Sequence, residues 1–183
     1  MKTKKNFVLL LVIVSSFLNI IEIKAEEPKS ATVKLNIVLN PIQTIIVNTQ
    51  QDVDLVYNTI DNYEEGVFKT IKDHLKIFST GGFEVKVKSD GDLSNGDGSN
   101  IKSSDIKILA ENGTNNKVEN SVAGPVVLGG PETLINSDSG GRDLMYDITY
   151  NNESGGEDKY INLYKNGGTN TYSTQITYTI AAK

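Results

Sequence analysis

The chain has 183 residues, a formal net charge of −5, no cysteine and one histidine. Without cysteine it has no disulfide and no thiol chemistry, so its stability must come from burial and hydrogen bonding. The acidic balance, with Arg142 as the one arginine, argues against a nucleic-acid surface and leaves little for bidentate phosphate recognition.

Met1–Ala25 reads as a secretory signal. Lys2, Lys4 and Lys5 precede an apolar run from Phe7 to Leu18, and Ala25 offers a small residue before a cut. A retained anchor is the alternative, but the run is shorter than the ~20 residues a membrane span needs. Cleavage would leave 158 residues (183 − 25), enough for one domain with a core. The expected organisation is a signal over 1–25, a flexible lead-in over 26–30 carrying Pro28, and a β domain over 31–183. The protein is expected in the periplasm, at the cell surface or outside the cell, with no membrane insertion after the signal is removed.

In the opening stretch Ala31, Val33, Leu35, Ile37 and Leu39 alternate with Thr32, Lys34, Asn36, Val38 and Asn40. Side chains alternate across a strand with period two, so this is a ribbon with one apolar edge. Pro41 ends it, because proline cannot donate to a ladder. Ile42–Val47 predicts a short strand, and Asn48–Gln51 a turn. Val53, Leu55 and Tyr57 alternate with Asp52 and Asp54, which predicts another strand. Asn58–Thr70 is expected to be a loop rather than a helical turn. Leu75, Ile77 and Ser79, then Thr80-Gly81-Gly82, then Phe83, Val85 and Val87 predict a hairpin. Further strands are expected at Ile106–Ile108, Val126–Leu128, Leu144–Tyr150, Tyr160–Tyr164 and Tyr172–Ile180. Eight or nine short strands, with glycine and asparagine turns and no sustained helical period, predict an all-β antiparallel sandwich. A closed barrel is the competing architecture.

No constellation for catalysis stands out, and the chain is read as not an enzyme. His74 has Asp73 beside it but no activated nucleophile, and is expected at the surface or a loop end. Asp90–Gly98 is rich in oxygen ligands, but Asn95 stands where an EF-hand loop needs glycine and Ile101 where it needs glutamate, so a solvated loop is expected. Ser137–Asp143 lacks the strand–loop–helix setting of a phosphate cradle and is expected to be a turn. Asn112-Gly113-Thr114 and Asn152-Glu153-Ser154 match the glycosylation pattern formally. The tyrosines Tyr146, Tyr150, Tyr160, Tyr164, Tyr172 and Tyr178 fit strand packing better than an exposed stacking platform for sugars. No metal site and no cofactor is expected.

The opening run Ala31–Leu39 and the closing run Asn170–Ile180 resemble the two ends of fimbrial subunits of chaperone–usher systems, including the spore-coat-U-like archaic branch. The resemblance departs from many members in lacking a cysteine pair and in having three residues after Ile180. It implies an incomplete immunoglobulin-like sandwich with an open groove, held first by a periplasmic chaperone. It also implies that Ala31, Val33, Leu35, Ile37 and Leu39 are the partner-binding residues of a donor strand inserted into a like subunit. The simpler alternative is that the same run is the first strand of its own sheet. Two functions are therefore carried forward: an exported structural or adhesive fimbrium-type subunit, and a monomeric secreted binding module for a carbohydrate or protein ligand.

Overall fold

The computed structural model describes residues 26–48, 52–114, 116, 118, 124–168 and 170–183. The expected signal Met1–Ala25 and residues 49–51 of the expected turn lie outside them. The chain divides into two units, Met1–Val38 and Leu39–Lys183. In the first, residues 26–38 are exposed, with no strand assigned.

The second unit is an all-β antiparallel sandwich. Its ten strands are β1 (Gln43–Val47), β2 (Phe68–Ser79), β3 (Phe83–Ser89), β4 (Leu93–Ser94), β5 (Asn100–Ile101), β6 (Lys107–Asn112), β7 (Val126–Val127), β8 (Glu132–Ser137), β9 (Gly141–Asn151) and β10 (Ile176–Ala182). One sheet has the order β1-β2-β9-β6-β7, the other β10-β3-β8, and β4 pairs with β5 as a small ribbon. Alternation places Phe83, Val85 and Val87 of β3 inward, against Ile77, Ile108, Tyr146 and Ile148 of the larger sheet. All seven are at most 1% exposed. This continuous apolar layer holds the two sheets together.

Two irregularities aim side chains that strict alternation would misplace. The register of β2 on β9 shifts between Ile71 and Leu75, and Asp73 there takes a left-handed φ of 49°. The buried carboxylate of Asp147 accepts the Asp73 N–H at 2.8 Å and holds the bulge. As a result both His74 and Leu75 face inward. A second shift, between Val85 and Lys86 of β3, lets consecutive Leu134 and Ile135 of β8 both be buried.

The expected hairpin at Thr80-Gly81-Gly82 does not form. β2 and β3 lie in different sheets, so this link crosses the sandwich instead of folding back in one plane. Two-residue hairpin turns need positive φ, and neither Gly81 nor Gly82 has it. A Cβ on Gly82 would meet the Ser137 carbonyl at 3.0 Å, so its glycine serves close approach to β8.

The region expected as a loop over Asn58–Thr70 contains the helix α1 (Ile60–Glu65) and the start of β2. Thr59 caps α1: its side chain accepts the Asn62 N–H, and the Asn62 side chain accepts the Thr59 N–H in return. The expected strand at Tyr160–Tyr164 is instead a run of turns leading into irregular chain. At the start of the sandwich, Ile42 is tied twice to Thr80. Its N–H donates to Thr80 Oγ1 at 2.9 Å and its carbonyl accepts the Thr80 N–H at 3.0 Å.

Candidate functional site

β1 and β10 are edge strands of their sheets, and among the described residues each leaves one backbone edge without a ladder. Past β1 the chain runs on as Asp52–Asn58. Here Val53, Leu55 and Tyr57 are half-buried while Asp52, Asp54, Val56 and Asn58 are exposed, so the stretch alternates like a strand. Val53 and Leu55 rest on the core. Yet among the described residues Asp52–Tyr57 has no backbone hydrogen bond to any strand. The sequence pattern was that of a strand, and what the structure shows is a strand's alternation of buried and exposed side chains with no ladder among the described residues.

The opposite wall is Tyr172–Tyr178. Ser173 exchanges both backbone bonds with Ser94 at 3.0 Å, and the Gln175 carbonyl accepts the Asp90 N–H at 3.0 Å. In an antiparallel ladder successive residues direct their backbone groups to opposite edges. The N–H and C=O of Tyr172 and Thr174 therefore point away from that pairing, towards the open side. Between the two walls lies a cleft of about 1200 Å³ whose floor includes Leu93, Ile106, Leu128 and Tyr150. It offers apolar side chains below and, among the described residues, main chain without a ladder partner on the flanks that face it.

Two polar chains enter this cleft. In the first, His74 Nε2 lies 3.0 Å from the Tyr150 hydroxyl, which lies 2.8 Å from that of Tyr178. His74 is 2% exposed, so the expectation of a surface histidine was wrong. The bulge at Asp73 turns it inward, and burial lowers its pKa below the ordinary value. Burial raises both tyrosines. The second chain sits at the far end. The Tyr57 hydroxyl donates to Asn152 Oδ1 at 2.6 Å, Asn152 Nδ2 donates to the Tyr160 hydroxyl at 3.1 Å, and Tyr160 donates to Asp105 Oδ2 at 2.9 Å. Burial, with the Asp105 charge adding to it, pushes Tyr57 up to about 12, and burial raises Tyr160 as well. Both phenols stay protonated donors at neutral pH.

The predicted donor residues are all exposed. Val33 is 92%, Leu35 86%, Ile37 82% and Leu39 88% exposed, and Ala31 is exposed with them. They carry no strand assignment and are in none of the three sheets described. Exposure of several large aliphatic side chains in a row is unusual for a segment with no binding role.

The remaining candidates are structural. In the Asp90–Gly98 loop, Asp92 accepts from Lys102 Nζ at 2.7 Å and Ser103 N–H at 3.0 Å, and Asn95 is buried. Among the described residues no group of three or more His, Asp or Glu is arranged to hold a metal ion. Within Ser137–Asp143, residues 138–140 are the tight link from β8 to β9, closed by Ser137 Oγ donating to the Ser139 carbonyl at 2.7 Å, and Arg142 at the start of β9 stacks 5.8 Å above the Phe78 ring. Asn152, formally a glycosylation acceptor, is 3% exposed and bonded on both sides of its amide. Sequence reading missed its role, because only the fold brings Tyr57, Asp105 and Tyr160 around it. Among the described residues no helix is long and apolar enough to cross a membrane. Compared with known proteins, the chain matches no family model and no curated sequence.

Proposed function

We propose that this protein is an exported structural subunit that joins to copies of itself by strand donation, with Ala31, Val33, Leu35, Ile37 and Leu39 of one copy filling the cleft of the next. One observation carries the reading: the wall Asp52–Tyr57 alternates like a strand and, among the described residues, has no strand paired to it. The same chain holds, at its other functional end, an exposed strand-like segment that has apolar side chains to bury.

The two are complementary in chemistry. A donated strand would satisfy main-chain groups on both flanks and bury alternate aliphatic side chains on the floor. Full burial of a large aliphatic side chain stabilises by roughly 1.5–3 kcal/mol, so several in a row yield a durable joint even after the cost of ordering the strand. An immunoglobulin-like sandwich completed in this way is the finer form of the fold reading. An empty cleft is an aggregation hazard, which is the physical reason a periplasmic chaperone belongs among the expected partners.

The test is a charge placed on the apolar edge. Ile37 is exposed, so Ile37→Arg is expected to leave the thermal midpoint unchanged while abolishing polymers in sedimentation and electron microscopy. Polymers that survive Ile37→Arg and Leu35→Arg would overturn the reading. Exposed Tyr164 beside the same cleft favours the second reading, a carbohydrate-binding module, and a saturable sugar signal from a monomer that never polymerises would establish it.

A further inference from the structure

A groove wall without a ladder needs something else to hold it extended. The core contacts of Val53 and Leu55 fix its depth, but they do not fix its direction at the far end. There the Tyr57 ring lies between Tyr63 and Tyr160, edge-on to both, with centroids 5.2 and 5.5 Å away. Its hydroxyl meets Asn152 at 2.6 Å, and Asn152 is itself fixed by Asp105 and Tyr160. Lys159 Nζ closes the cluster on Asp105 Oδ1 at 2.7 Å. No space is left over: a Cβ on Gly155 would stand 2.5 Å from the Tyr57 hydroxyl and 2.7 Å from Asn152 Oδ1. So the end of β9, the turn at Ser103–Asp105 and the Tyr160 loop converge on one phenol of a segment that has no backbone pairing among the described residues.

We infer that Asn152 is a positioning residue for strand insertion: through the Tyr57 hydroxyl it keeps the wall extended and the cleft preformed while no donor occupies it. The inference rests on the strand-donation reading. A wall already in place removes an ordering step before pairing, so the effect falls on the association rate. Loss of the clamp leaves the wall to be ordered by the incoming strand.

The experiment uses the full chain carrying Ile37→Arg, whose own donor cannot fill a neighbour's cleft, as the parent, and follows a fluorescein-labelled peptide of residues 31–40 by stopped-flow anisotropy. Tyr57→Phe keeps the ring packing and removes one hydroxyl. It is expected to slow association about three- to tenfold, the range one hydrogen bond supplies, with a smaller change in dissociation. Thr70→Val is the comparison, since it removes the Thr70–Thr149 hydroxyl pair (2.7 Å) between β2 and β9, away from the cleft. It is expected to lower the thermal midpoint to a similar degree and to associate at the parent's rate. Equal association rates for the parent and Tyr57→Phe overturn the positioning role and leave strand donation standing, as does an equal slowing by Thr70→Val. A monomeric parent that fails to bind the peptide overturns strand donation, and the positioning role with it.

Discussion

His74 is the chain's one histidine, and the fold buries it against Tyr150. Its pKa is lowered in the folded protein, while an unfolded histidine titrates near 6.5. Below that value the unfolded chain takes up a proton that the folded chain resists, so stability falls as pH drops from 7 towards 5. It levels off once the pH lies beneath the folded value. The carboxylates act in a lower window. Asp73 is held down by Thr114, Glu84 by Thr133 and Asp92 by Lys102, so their stabilisation is present above about 4 and is lost as pH falls further. Calorimetry should therefore show a midpoint that declines between pH 7 and 5 in the wild type and stays flat in His74→Gln. A decline that persists in the variant would refute the assignment to His74.

At the scale of elements, α1 depends on its cap more than on packing, because none of its six residues is buried. Thr59→Ala removes the acceptor for Asn62 and is expected to cost about 1 kcal/mol, read as a shift in urea midpoint. The helix was hard to see in sequence for the same reason. It is short, it has no apolar stripe, and the reciprocal partner at the third position is Asn62 rather than the usual Glu or Gln. The strands were legible wherever one face is buried, as in Phe83, Val85 and Val87. What alternation cannot reveal is the sheet to which a strand belongs, so Gly81-Gly82 read as a hairpin although it crosses between sheets. Nor can it reveal a bulge, which is why inward-facing His74 read as exposed. For the cleft, both walls were visible as strand patterns at Val53–Tyr57 and Tyr172–Ile176. That the first has no ladder among the described residues, and that the second is paired along one edge through Ser94 and Asp90, is a property of the assembled sandwich, written in no single stretch of residues. Asn152 was illegible because its partners lie 8 to 95 residues away along the chain.

At the scale of the whole molecule, residues 26–42 are all exposed, so they contribute nothing to the core. Deleting Glu26–Asn40 is expected to leave a folded monomer whose thermal midpoint matches that of the undonated full chain, and to abolish self-assembly in sedimentation. A truncated chain that fails to fold would show that the segment completes its own sandwich. The double tie of Ile42 to Thr80 has a mechanical side as well. Between the last donor residue, Leu39, and the first anchored residue, Ile42, stand only Asn40 and Pro41. Each residue of trans chain spans at most ~3.8 Å, and proline locks one of the few torsions left. A fibre made by donation would thus pass torque through a very short coupling. Each copy would hand its orientation to the next, giving the fibre a defined twist where a longer link would give beads on a slack string.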